Sequence, residues 1–181
     1  MHANTVILNA DDFLKGYGGI YLDADVIVVK SFTPLRRYSF VIGQESPGSL
    51  CNGIMLAARG APFLRLFLEQ YHSYLGPKEI WSVKSVVNSG KLARLYPHLA
   101  HVEETTLNRP NWVERAQIYD GRYNWTKNYA VHLWIRLWPQ EKRPNKVEDV
   151  LTKNTTLGEI ARLAMFGTHE IRKNATNITY H

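Results

Sequence analysis

The chain has 181 residues, 45% of them hydrophobic, and a formal net charge of +6. That length supports one core of ordinary size, and no run of about 18 apolar residues is present to span a membrane. The basic residues are dispersed, pairing up only at Arg36-Arg37, Lys142-Arg143 and Arg172-Lys173, which speaks against nucleic acid, whose binders carry a dense basic stripe.

Met1 to Thr5 lacks the charged start and apolar core of a signal peptide. Residues 11–16 predict a short helix closing at Gly18. Ile20 to Leu22 and Val26 to Val29 are apolar and rich in β-branched residues, and read as buried strands on either side of Asp23 and Asp25. Ser31 to Arg37, with Pro34, reads as a loop, Phe40 to Gly43 as a short strand, and Pro47-Gly48-Ser49 as a turn. The single cysteine, Cys51, has no internal disulfide partner and reads as a small buried hydrophobe. Ile54 to Ala58 is a further buried run. Pro62 opens a helix whose Phe63, Leu64, Phe67, Leu68, Tyr71 and Leu75 recur at helical spacing up to Gly76-Pro77. That stripe is core, not a ligand box. Leu99 to Glu103 predicts a strand, and residues 108–128 lack a period and read as a long loop. Thr156-Leu157-Gly158-Glu159 fits a capping box opening a terminal helix through Ala164, with Gly167 beyond it. No repeat, linker or second domain is visible, so residues 1–181 read as a single domain.

Chemistry concentrates in Gly18-Gly19-Ile20-Tyr21-Leu22-Asp23-Ala24-Asp25-Val26-Ile27-Val28-Val29. Ionised carboxylates beside buried strands cost several kcal/mol unless something compensates the charge. A divalent cation with oxygen ligands supplies that compensation, and can in turn hold a diphosphate. Gly18 and Gly19 leave the backbone bare for close approach of a flat group such as a nucleoside. The bland alternative is a solvated turn with two charges, which the glycine pair and the apolar flanks weaken. A D-x-D phosphatase wants Thr or Val where Ile27 stands. An EF-hand loop fails at its sixth and twelfth positions, Val28 and Pro34.

The string Tyr17 to Lys30 closely resembles the sugar-binding region containing the DXD motif of glycosyltransferase family 32, which includes the animal α-1,4-galactosyltransferases and α-1,4-N-acetylglucosaminyltransferases and the fungal initiating mannosyltransferases. Leu50-Cys51-Asn52-Gly53-Ile54-Met55-Leu56-Ala57 resembles the family's L-N-G segment, and Tyr129-Ala130-Val131-His132-Leu133-Trp134 its late A-V-H-x-W motif. The resemblance implies the C-terminal part of a GT-A fold: α/β, with a mainly parallel sheet flanked by helices. It also implies a metal-dependent enzyme that retains configuration and moves a hexose or N-acetylhexosamine (Gal or GlcNAc) from a nucleotide-sugar, UDP favoured, to a glycan or glycolipid hydroxyl. The cation would be Mn²⁺ or Mg²⁺.

By that resemblance Asp25 is the direct metal ligand, and Asp23 orients the donor and reaches the metal through water. His132 is a third ligand, set against the usual reading of a satisfied core histidine. Gly18, Gly19, Tyr21, Glu45, Asn52 and Gly53 fall on the donor side, although Asn52-Gly53 reads equally as an ordinary turn. Among the tryptophans, Trp81 and Trp134 stand out by motif position as platforms for a sugar ring. The chain departs from the galactosyltransferases at Trp81-Ser82-Val83-Lys84, where they carry G-H-Q-G-P. No enzymic nucleophile is identifiable, and front-face attack needs none. Family members carry a membrane anchor and half of a nucleotide-binding domain ahead of the D-x-D, which here arrives at residue 23, so the chain is expected to be N-terminally truncated. The sequons at Asn124, Asn154, Asn174 and Asn177, with the resemblance, imply a Golgi lumenal glycoprotein. The rival reading is a truncated, non-catalytic binding or interaction protein.

Overall fold

The computed structural model describes residues 14–73, 82–144 and 146–171. By density of contacts the chain falls into two compact units. The first comprises residues up to Ala24 together with Ser31–Asn108, and the second Asp25–Lys30 together with Arg109 onward.

In the first unit residues 14–17 are helical, and the Gly18 N–H closes the turn on the Leu14 carbonyl at 2.8 Å. Gly18 has φ +72°, and a Cβ there would lie 2.6 Å from the Arg59 nitrogen, so only glycine fits. A four-stranded sheet follows, built from β1 (Gly19–Leu22), β3 (Phe40–Ser46), β4 (Ser49–Ala57) and β5 (His101–Glu103), in the order β1-β4-β3-β5. β1 and β3 both run antiparallel to β4, and only β3 and β5 pair in parallel.

The fold is therefore mixed α/β, and the expected mainly parallel sheet is not what forms among the described residues. The reason is local. Ser46 pairs with Ser49, leaving Pro47 and Gly48 (φ +80°) as a two-residue turn, and so short a connection can only return the chain antiparallel. β1 is also less buried than its composition suggests, with Ile20 47% exposed. Its pairing edge against β4 organises it more than an enclosing core does.

α1 (Pro62–Ser73) packs Phe63, Leu64, Phe67, Leu68 and Tyr71 inward. Phe63, Leu64, Phe67 and Leu68 join Phe40, Ile42, Leu50, Met55 and Leu92 in one apolar cluster. The Phe40 and Phe63 rings stack at 4.9 Å. Each such side chain contributes about 1.5–3 kcal/mol on burial. Residues 74–81, including Leu75, Gly76-Pro77 and Trp81, lie outside the described residues. Thr33–Arg37, expected as loop, forms a 3₁₀ turn with Pro34 near its start. α2 (Asn88–Leu95), preceded by a wide turn over Val83–Val87, completes the unit.

The second unit pairs β2 (Val26–Val28) with β6 (Ala130–His132), antiparallel. The 108–128 stretch is not featureless: it holds α3 (Ala116–Tyr119) and a 3₁₀ turn at Trp125–Lys127. α4 (Val147–Leu151) and α5 (Thr156–Phe166) follow. α5 ends as expected, with Gly167 left-handed at φ +68°, but its N-cap is Thr155, whose hydroxyl accepts from the Gly158 N–H at 3.3 Å. Tertiary partners take the expected capping-box groups instead. The Thr156 hydroxyl accepts from the Tyr123 N–H, while Glu159 pairs with Arg122 and accepts from the Trp125 indole.

Arg162 is 1% exposed. It donates to the Val150, Leu151 and Lys153 carbonyls, closing the C-terminal end of α4, and to the His169 carbonyl. Gly158 makes room for that arrangement: a Cβ there would lie 2.3 Å from the Lys153 carbonyl oxygen and 2.9 Å from the Arg162 guanidinium. Gly158→Ala is accordingly expected to lose about 1–3 kcal/mol through overpacking, although alanine is the better helix former by about 1 kcal/mol. Urea titration measures it, and a stabilised variant would contradict the packing.

Candidate metal centre

The site is assembled within the second unit by the β2–β6 ladder. Val26 pairs with His132, and the Leu133 N–H donates to the Asp25 carbonyl at 2.8 Å. This pairing brings together two residues 107 positions apart: His132 Nε2 lies 3.1 Å from Asp25 Oδ1. The other carboxylate oxygen, Oδ2, accepts from the Ile135 N–H at 3.0 Å. His132 is buried and Asp25 half-buried. Burial pushes the Asp25 carboxyl up, but the His132 hydrogen bond and charge, with the Ile135 N–H, outweigh it and hold the group below its ordinary value.

Between His132 and Ile135 the backbone turns through Trp134 in the left-handed region, at φ 54° and ψ 37°. The Trp134 indole is 9% exposed, stacks on the His132 ring at 3.8 Å, and donates its N–H to the Pro110 carbonyl at 3.0 Å. The Tyr119 hydroxyl donates to the Leu133 carbonyl at 2.9 Å, and the Tyr119 ring stacks on Trp138 at 4.5 Å. Burial, followed by the Asp25 charge, raises the Tyr119 hydroxyl to about 12, so it stays a donor at neutral pH.

Asp23 belongs to the first unit. Its N–H donates to the Gly53 carbonyl at 2.8 Å, and its Oδ1 accepts from the Tyr21 hydroxyl at 2.7 Å. Gly53 and Asn52 sit in a bulge of β4, where the β3 register steps from Ile42–Met55 to Gly43–Cys51. Such bulges recur beside active sites. The sequence-based candidates Tyr21, Asp23, Asn52 and Gly53 are thus neighbours in one unit, and Asp25, His132 and Trp134 in the other. Gly19 is exposed and Glu45 is half-buried on β3. Trp81 lies outside the described residues.

The donors present fit a divalent cation. Two ligands at right angles on an ion with bonds of about 2.1 Å stand about 3 Å apart, the separation seen between Asp25 Oδ1 and His132 Nε2. The carboxylate suits Mg²⁺ or Mn²⁺, whereas the imidazole suits later first-row metals. The groups that sequence reasoning missed are those that surround the Asp25–His132 pair: the Ile135 N–H on Asp25, the Pro110 carbonyl on Trp134 and Tyr119 on the Leu133 carbonyl. Two of these are backbone groups, which carry no residue signature, and Tyr119 sits in the stretch read as loop.

Residues 12–42 match the glycosyltransferase sugar-binding region containing DXD motif. The chain is 31% identical over 157 residues to glucan organizing enzyme 1 of Cryptococcus neoformans, covering 74% of this chain and 42% of that protein. It is 24% identical over 159 residues to the human alpha-1,4-N-acetylglucosaminyltransferase, covering 76% and 44%. A shorter match, 44% over 51 residues, covers 28% of this chain and 14% of inositol phosphoceramide mannosyltransferase 3 of Schizosaccharomyces pombe. The chain therefore spans less than half the length of each of these relatives.

Proposed function

From the premise that this chain belongs with the DXD-motif glycosyltransferases, whose sugar-binding region it carries, we propose that it is the cation-binding part of a retaining transferase. That enzyme would move a hexose or N-acetylhexosamine from a UDP-sugar to a glycan or glycolipid hydroxyl, on a GT-A scaffold in the Golgi lumen. The observation that carries the reading is the Asp25–His132 pair at 3.1 Å, set beside a second carboxylate two residues upstream in Asp23-Ala24-Asp25. Asp23, Asp25 and His132 would hold Mn²⁺ or Mg²⁺, which when bound neutralises charge on a leaving diphosphate.

The remaining chemistry needs no protein nucleophile. The bond from the donor's anomeric carbon to the diphosphate oxygen breaks and a bond to the acceptor oxygen forms on the same face. The acceptor's proton passes to the departing oxygen. Tyr21, through its hydrogen bond, fixes Asp23. Asn52 and Gly53, on the adjoining bulge, and Glu45, Gly18 and Gly19 are the donor-side candidates, and Trp81 a candidate platform for the acceptor. The human relative is named for N-acetylglucosaminyl transfer and the fission-yeast relative for mannosyl transfer, so the donor test spans both sugars.

A second reading is a binding or interaction protein without turnover. The two separate on Mn²⁺-dependent release of nucleotide from UDP-Gal, UDP-GlcNAc and GDP-Man. Weak release is expected from the 181 residues alone, with a sharp rise in a chain extended to the relatives' length, because orienting the nucleotide contributes several kcal/mol to lowering the barrier. Absence of metal-dependent release from a folded, extended chain would leave the binding-protein reading.

A further inference from the structure

Trp134 is the one non-glycine residue with positive φ among the described residues. An indole in the left-handed region crowds the backbone, and such a conformation persists only where its surroundings over-determine it. Two contacts do so: the ring lies against His132 at 3.8 Å and 22°, and the indole N–H is held by the Pro110 carbonyl. The consequence of the turn falls on the next residue. With Trp134 left-handed, the Ile135 N–H points back at Asp25 Oδ2, while His132 Nε2 meets Oδ1. One tripeptide step therefore reads both oxygens of a single carboxylate, and the side chain at its centre clamps the imidazole.

We propose that Trp134 is a positioning residue for the cation site, pinning the His132 ring and the Ile135 N–H so that Asp25 and His132 are held ready before any cation arrives. This rests on the cation-binding reading given above. Its indole thus serves His132, not an acceptor sugar. Tyr119 braces the same turn through the Leu133 carbonyl. A histidine whose ring is free to swing would have to be ordered on binding, and partners that orient metal ligands typically carry about 10–100-fold in affinity.

The side chain can be separated from the backbone it strains. Trp134→Gly accepts the same φ without crowding but removes the ring. Trp134→Phe keeps an aromatic face for His132 and loses only the bond to Pro110. Titrating Mn²⁺ alone, followed by its electron paramagnetic resonance signal, should show Trp134→Gly weaker than wild type by about 10-fold or more, with Trp134→Phe within about threefold. In the metal-free protein, hydrogen exchange at the Ile135 amide should accelerate in Trp134→Gly and stay near wild type in Trp134→Phe. Should the glycine variant fail to fold, Trp134→Leu fills part of the volume without an aromatic face and takes its place.

Equal Mn²⁺ affinity and equal Ile135 exchange in wild type and Trp134→Gly would overturn the proposal while leaving the cation site standing. If the wild type itself binds no Mn²⁺, the cation reading falls with it. Ile135 exchange then decides alone whether Trp134 holds the turn, and exchange unchanged by its loss overturns that too.

Discussion

Asp25→Asn is expected to lower Mn²⁺ affinity by more than about 100-fold, beyond the 10–100-fold that outer partners of metal ligands carry, while leaving the fold intact. The amide matches the carboxylate in shape and keeps one oxygen able to accept from the Ile135 N–H, now 3.0 Å from Oδ2. What it lacks is the charge. Stability of the metal-free protein should therefore fall by only about 1 kcal/mol, the net worth of one altered hydrogen bond. The pH dependence follows from the sign of the shift. Asp25 is held below its ordinary value in the folded state, so its stabilising contribution is complete above the unfolded-state value. It is lost as pH falls through the folded-state value. The gap in stability between wild type and Asp25→Asn, measured in chelator, should close on acidification. Calorimetric titration of Mn²⁺ decides the main point: an unchanged isotherm in a folded Asn variant removes Asp25 from the cation site.

The parts of this site that could be read from the sequence are those that depend on residue type. Two carboxylates between apolar runs are unusual enough to demand a counter-charge, which makes Asp23 and Asp25 candidates, while their separate roles rest on the resemblance. His132 was legible only through its motif, because an imidazole in an apolar stretch has no spacing that distinguishes ligand from core. Its pairing with Asp25 is a consequence of β2 and β6 meeting across more than a hundred residues. The Ile135 N–H and the Pro110 carbonyl were invisible, since every residue but proline has the first and every residue the second.

Elsewhere the misses were of direction and register. Pro47-Gly48 was legible as a turn, but the antiparallel sheet it enforces came out of the pairing, not out of the apolar runs. Thr155 caps α5 in place of Thr156 because the neighbouring threonine is drawn off by the Tyr123 N–H. With two threonines adjacent, either can cap, and a contact from another part of the chain makes the choice.

The largest expected loss of stability lies away from the candidate cation site, at Arg162→Met. A fully buried guanidinium is costly to desolvate, and this one is tolerated because its N–H groups meet four carbonyls, at 2.8 to 3.2 Å. Three of those carbonyls, from Val150, Leu151 and Lys153, close the end of α4 (Val147–Leu151), which is too short to stand alone. Burial pulls the Arg162 guanidinium below its ordinary value, and the nearby Glu159 charge offsets part of that. Methionine fills much of the volume but leaves the carbonyls without donors, each at about 1–3 kcal/mol where water cannot reach. Partial relaxation limits the total, so a loss of about 3–5 kcal/mol is expected. At roughly 2–4 °C per kcal/mol for a chain of this size, Tm should fall by about 6–20 °C. Arg162→Lys retains the charge with fewer, differently aimed donors and should fall between the two. The Asp25–His132 pair does not touch this network, so residual Mn²⁺ binding below the lowered Tm should match wild type. A Tm for Arg162→Met within about 2 °C of wild type would show that the α4 end is satisfied by water and that the guanidinium is not what holds it.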